Sequence, residues 1–124
     1  MNERSDAFEA GLELRSRMFG PEGAEQAHAR AREIGLPLQE YVTEFCFGDV
    51  WQRPGLTHRE RSMITVAMLM GAGRMNQVKV HLQGALANGV TKEELREIFL
   101  QAMCYIGIPA AAEATFMLEK MLEG

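Results

Sequence analysis

Apolar positions recur every three to four residues along most of the chain, and no stretch keeps the strict alternation of a half-buried strand, so the pattern predicts an all-α protein of six to seven helices. Phe8, Leu12, Leu14, Met18 and Phe19 fall at roughly helical spacing in a first helix over 2–19. Gly20-Pro21 stops it, because glycine suits a helix C-terminal cap and proline cannot continue the ladder. An Ala-rich, polar second helix is predicted from Glu22 to Ile34, ended by Gly35. Pro37 starts a third, with Leu38, Tyr41, Val42, Phe45 and Val50 on one face. The Pro-Gly pair in Gln52-Arg53-Pro54-Gly55-Leu56 marks a turn. Thr57 with Glu60, and Thr91 with Glu94, have the spacing of a capping box, in which each side chain satisfies the other residue's free backbone N–H. They open a fourth and a sixth helix. Gly71 and Gly73 break the fourth, a fifth covers 74–88 up to the Asn88-Gly89 stop, and Gly107 with Pro109 separates the sixth from a seventh over 110–122.

The last two helices are apolar around much of their circumference, with Phe99 to Ile106 running almost without a polar break. A helix of that kind is buried on more than one side. One small chain does not easily surround it, so self-association is expected. The nine methionines suit such adaptable packing, or an irregular core.

A length of 124 residues fits one domain, 1–124, with a core that needs neither disulfide nor metal. The net charge of −4 is spread among interspersed residues and forms no basic patch, so nucleic acid is not an expected partner. Cys46 and Cys104 match neither a CxxC redox pair nor a metal-ligand spacing. No apolar segment of a secretory signal shows in the first residues, which places the expected location in the cytoplasm, with both thiols reduced and mostly buried as small hydrophobes. The longest apolar run, Met63 to Ala72, falls short of the roughly 20 residues that cross a bilayer, so no membrane association is expected.

The fifth helix carries the candidate chemistry. Arg74, Gln77, Val78, His81, Leu82 and Ala85 share one stripe, which sets His81 among apolar neighbours with Arg74 and Gln77 upstream on the same side. Two readings stand. His81 is a core histidine with one partner, or it is a general acid or base, since imidazole titrates near neutral pH. Arg74 is suited to a bidentate grip on an anionic group. Arg53, beside Trp51 in the turn, is a second carboxylate-binding candidate or a solvated loop charge. Glu44 is a partner for His81 or an exposed helix residue. Arg61 either pairs internally or faces a pocket. His28 and His58 lie in polar surroundings and read as exposed. The three histidines form no local ligand pair, and Gly71-Ala72-Gly73 lacks the strand of a phosphate-binding loop, so no metal or nucleotide is expected.

Trp51-x-Arg53-Pro54-Gly55-Leu56, Glu60-Arg61-Ser62, His81-x-x-x-Ala85-Leu86-x-Asn88-Gly89-Val90-Thr91-x-Glu93-Glu94 and Leu100-Gln101-Ala102-x-x-Tyr105-x-Gly107-x-Pro109-Ala110-Ala111 together resemble the carboxymuconolactone decarboxylase family over about 11–122. The resemblance implies an all-α, alkylhydroperoxidase D-like fold, a ring-like homotrimer or homohexamer, and no cofactor. It implies decarboxylation of 4-carboxymuconolactone to the enol-lactone of 3-oxoadipate in aromatic-acid (protocatechuate) catabolism. Electrons left by CO₂ would flow through the ring double bond to the lactone carbonyl, so the substrate is its own electron sink and the protein must hold a dianion and stabilise an oxyanion. His81 then acts as proton donor or oxyanion partner, Arg74 and Arg53 hold carboxylates, Trp51 shapes the pocket, and Gln77 and Glu44 complete the substrate-binding set. The superfamily's thiol peroxidases carry CxxC where Arg74 and Gln77 stand, so peroxidase chemistry has no thiolate pair to use. The resemblance also implies an acidic residue at Gln77. That departure leaves a second reading, a helical oligomer that binds a related metabolite without decarboxylating it, or with another specificity.

Overall fold

A computed structural model describes residues 4–21 and 25–124, with nothing said of the side chains of residues 25–27. Seven α-helices and no strand occur among the described residues: α1 (Asp6–Phe19), α2 (Glu25–Arg30), α3 (Leu36–Tyr41), α4 (His58–Ala72), α5 (Met75–Ala87), α6 (Lys92–Ile106) and α7 (Ile108–Glu123). A π-helical segment, Val42–Phe47, continues α3, and a single 3₁₀ turn, Val50–Gln52, follows it. None of the described helices is long and apolar enough to cross a membrane. The chain divides into two compact units, residues 1–57 and 58–124.

In the first unit, Ser5 caps α1 by accepting the Phe8 N–H on Oγ (3.0 Å), which satisfies one of the free donors of the first turn. The apolar face of α1 is buried as its spacing predicts, with Leu14 and Met18 most enclosed. The predicted start of the second helix falls partly outside the described residues, and α2 ends at Arg30, short of Ile34. The third helix differs most from expectation. Leu38, Tyr41, Phe45 and Val50 are exposed, whereas Thr43, Phe47 and Gly48 are buried. The cause is a backbone-to-backbone approach. A methyl group on Gly11 would overlap the Thr43 carbonyl oxygen, and one on Gly48 would overlap the Ala7 carbonyl oxygen. Two glycines thus let α1 lie directly on the π segment, and the wider π turn presents Thr43 and Phe47 rather than the periodic apolar set.

In the second unit, α4 to α7 enclose one core of Val66, Met70, Val78, Leu82, Ala85, Val90, Leu95, Phe99, Ala114 and Leu118. The Thr91–Glu94 capping box is formed: Thr91 Oγ1 accepts the Glu94 N–H (3.0 Å) and Glu94 accepts the Thr91 N–H (2.9 Å). Glu94 also pairs with Arg59 at the start of α4. Gly73, Gly89 and Gly107 close helices with positive φ (74°, 89° and 101°), a region L side chains avoid. Tyr105, Ile108 and Phe116 remain exposed on α6 and α7. Cys104 is exposed rather than buried, and Cys46 is half-buried; both are free thiols. The expectation of two buried cysteines fails at Cys104, which α6 leaves exposed, its Sγ directed to the Leu100 carbonyl one turn back.

Candidate functional site

Helix α5 positions three of the candidate residues. Arg74 stands at its N-terminal cap with φ −91° and ψ 65°. The Arg74 N–H donates to the Leu69 carbonyl (2.9 Å), and the Arg74 carbonyl accepts the N–H groups of Gln77 and Val78 (3.0 Å each), so the backbone fixes Gln77 relative to Arg74. The side chains of Arg74 and Gln77 are exposed, Val78, Leu82 and Ala85 are fully buried, and His81 is half-buried between these extremes. The stripe read from the sequence is therefore a gradient from solvent to core, with His81 at its border and its Nδ1 atom buried. Burial pushes the His81 pKa down from 6.5 to about 4, because desolvation penalises the charged ring. At neutral pH the imidazole is uncharged. It offers one N–H and one lone pair, which suits it to bonding a developing oxyanion rather than to standing as an imidazolium acid.

This depression links to stability. The unfolded chain binds a proton at His81 near pH 6.5 and the folded chain only near pH 4, so stability present at neutral pH is lost as pH falls through that window. The gap corresponds to at most about 3 kcal/mol. Urea unfolding at pH 7 and pH 4.5 should show a larger acid loss in the parent than in His81→Ala, in which carboxylate effects are shared and the histidine's is absent. An equal loss in both proteins removes the assignment.

The other candidates lie in the first unit. Trp51 is buried in the 3₁₀ turn and stacks on Phe47, with ring centroids 5.3 Å apart and planes at 28°. Gln52 Nε2 donates to the Phe47 carbonyl (3.0 Å). Arg53 ends the turn in extended backbone (φ −65°, ψ 137°), as a residue before proline is driven to do, and its side chain is exposed. Glu44 is exposed on the π segment and accepts a hydrogen bond from Ser5 Oγ (2.9 Å), so it is tied to the start of α1, while Trp51 packs on Phe47.

One cluster escaped the sequence reading. Arg15 is buried, and its guanidinium donates through Nη1 to Thr43 Oγ1 (2.8 Å) and through Nη2 to Gln39 Oε1 (3.1 Å), with the Phe47 ring 5.8 Å away. Thr43 Oγ1 also lies 2.7 Å from His28 Nε2. His28, expected to be exposed, is half-buried and meets the Phe8 ring edge-on at 5.3 Å; His58 is half-buried too. The signal for Arg15 was present: it occupies the helical stripe of Phe8, Gly11, Leu12 and Met18. His28 carried no such signal, because its partners are 20 and 15 residues away in sequence. In the second unit, Asn88 Nδ2 donates to the fully buried Ser62 Oγ (3.0 Å), which joins the end of α5 to the beginning of α4.

A cleft of about 490 Å³ opens between α4 and α6, walled by Met63, Ala67, Ile98, Ala102 and Ile106, and no candidate residue lines it. Its walls are apolar and its charged lining residues are Glu94 and Glu97, so it offers a dianion no counter-charge. Among the described residues no group of three His, Cys, Asp or Glu side chains is placed to hold a metal ion.

The described residues form an all-α fold with a half-buried, neutral histidine on a helix that begins at Arg74. Residues 37–120 match the carboxymuconolactone decarboxylase family, and the chain belongs to that family. It is 34% identical to the 4-carboxymuconolactone decarboxylase of Acinetobacter baylyi over 94% of this chain and 87% of that protein. It is 37% identical to the nitrosuccinic acid decarboxylase of Metarhizium robertsii, over 93% of this chain and 80% of the relative. An uncharacterized 15.0 kDa protein of Paracoccus denitrificans is 31% identical over 86% of this chain and 81% of its own length.

Proposed function

We propose that this protein is a cofactor-independent carboxy-lyase whose substrate is 4-carboxymuconolactone. The observation that carries the reading is His81, a neutral imidazole at the solvent edge of a buried stripe on the helix that Arg74 caps. Membership of a family with two named decarboxylases among its relatives supports it.

The chemistry asked of these residues is limited. In 4-carboxymuconolactone the departing carboxylate sits on a ring carbon that also bears a CH₂–carboxylate arm. The C–COO⁻ bond breaks, CO₂ leaves, and the electron pair moves through the ring double bond to the lactone carbonyl oxygen, giving a dienolate. A solvent-derived proton then arrives at the α carbon. His81 donates a hydrogen bond from its N–H to the carbonyl oxyanion as charge develops and keeps its proton. Arg74 and Arg53 hold carboxylates, Trp51 supplies an apolar wall, and Gln77 and Glu44 are polar neighbours of the substrate. Self-association is assigned to the exposed apolar residues of α6 and α7, Leu100, Met103, Ile108 and Phe116 among them; we place the protein in the cytoplasm.

Gln77 favours a second reading of specificity. An amide replaces the carboxylate that the family resemblance implies there, and one relative acts on a different acid. Nitrosuccinic acid shares the essential unit: a departing carboxylate and a CH₂–carboxylate on one carbon, with a nitro group as the electron sink in place of the lactone. The test is CO₂ release from both acids by one preparation, with its assembly weighed by light scattering. Higher kcat/KM on the lactone, from a trimer or hexamer, supports the proposal. Turnover of nitrosuccinate alone moves the specificity, and turnover of neither rejects the carboxy-lyase reading.

A further inference from the structure

Arg15 is a buried guanidinium with no carboxylate partner among the described residues. Its partners are the neutral oxygens of Thr43 and Gln39 and the face of Phe47, and its Nε is buried without a hydrogen bond. Burial draws its pKa below the usual guanidinium value, partly offset by the nearby Cys46. Desolvating a cation is costly, and even buried ion pairs are often replaced by apolar residues with no loss of stability. Stability therefore does not account for an arginine here.

Its geometry does. The planar fork reaches Thr43 and, one turn further along the π segment, lies toward the ring of Phe47. Phe47 in turn is the platform of the Trp51 turn: its ring stacks on Trp51, Phe19 meets it edge-on at 5.8 Å, and its carbonyl receives the Gln52 amide. Arg53 follows directly, bonded through its N–H to the Val50 carbonyl (3.2 Å). We propose that Arg15 is a positioning residue, which holds Thr43 and Phe47 together and so sets the placement of Trp51 and Arg53 for substrate binding. The inference rests on the reading of those two residues as substrate-binding groups. A lysine cannot replace it, since an ammonium has neither the fork nor the stacking plane.

Trp51 is the one tryptophan of the chain, so its fluorescence reports this placement whether or not the protein turns over substrate. The experiment uses the full-length protein with Arg15→Met and Arg15→Lys. Arg15→Met is expected to stay helical, with an unfolding midpoint equal to or above that of the parent. Its Trp51 emission should shift to the red and its acrylamide quenching constant should rise about twofold. KM for 4-carboxymuconolactone should rise about tenfold with kcat nearly constant, the signature of lost binding rather than lost chemistry. Arg15→Lys should not restore either property. A folded Arg15→Met with unchanged fluorescence and KM overturns the proposal, as does full rescue by lysine. If Arg15→Met does not fold, Thr43→Val replaces it: raised quenching and raised KM support the proposal, and parental values overturn it. If the parent releases no CO₂, the proposed function fails, and the fluorescence arm still decides the role of Arg15.

Discussion

His81→Ala is expected to lower the turnover of 4-carboxymuconolactone by about 10²–10³-fold, the range lost with one donor to a developing oxyanion. The loss should appear in kcat. A neutral imidazole contributes little to holding a dianion in the ground state, because it carries no charge to set against the carboxylates. Its contribution grows only as the electron pair reaches the lactone oxygen, and an interaction made only in the transition state lowers kcat and kcat/KM together. The fold should survive, since the ring lies at the edge of the core and Val78, Leu82 and Ala85 keep the helix seated. Far-UV circular dichroism and the assembly mass check this in the same samples. A variant with parental turnover takes His81 out of the mechanism.

The second large effect is on folding. Gly48→Ala should destabilise the first unit by about 3 kcal/mol or more, at or beyond the upper end of ordinary overpacking. The added methyl would meet backbone atoms, the carbonyl oxygens of Ala7 and Glu44, and neither can rotate away as a side chain would. Relief of the Ala7 contact requires α1 to lift from the π segment, which also breaks the contacts of Thr43 and Glu44 with α1 and its cap, and relief of the Glu44 contact requires the π segment itself to deform. Gly55→Ala is the control, because nothing lies within 4 Å of its new methyl. Urea unfolding followed by Trp51 fluorescence should show a clear loss for the first variant and none for the second. Equal stabilities would mean that the close approach of α1 to the π segment is not what holds this unit together.

The sequence reads well where local chemistry decides the structure. The Thr91–Glu94 cap, the positive-φ glycines and the stripe of α5 follow from residue type and spacing, and the structure places them accordingly. Reading fails where a distant contact overrides the local pattern. The apolar face expected over Leu38 to Val50 is replaced by Thr43 and Phe47, because Gly11 and Gly48, 37 positions apart in the chain, bring two backbones together. Nothing local in either glycine announces the other. The π turn adds to the effect, since it departs from the periodicity on which the reading depends. Arg15 was visible as a charge in an apolar stripe, yet its meaning needs Thr43, which is 28 positions away. At the candidate site, the spacing placed His81 in the stripe of α5, but its half-burial, and with it the neutral ring, came from packing that spacing alone does not report.

The most direct test is CO₂ release from 4-carboxymuconolactone by the parent protein and His81→Ala, measured side by side at neutral pH with both proteins shown to be folded. Release proportional to the amount of parent protein is expected, with at least about 10²-fold slower release by the variant. No release by the parent, or equal release by the two, would contradict it.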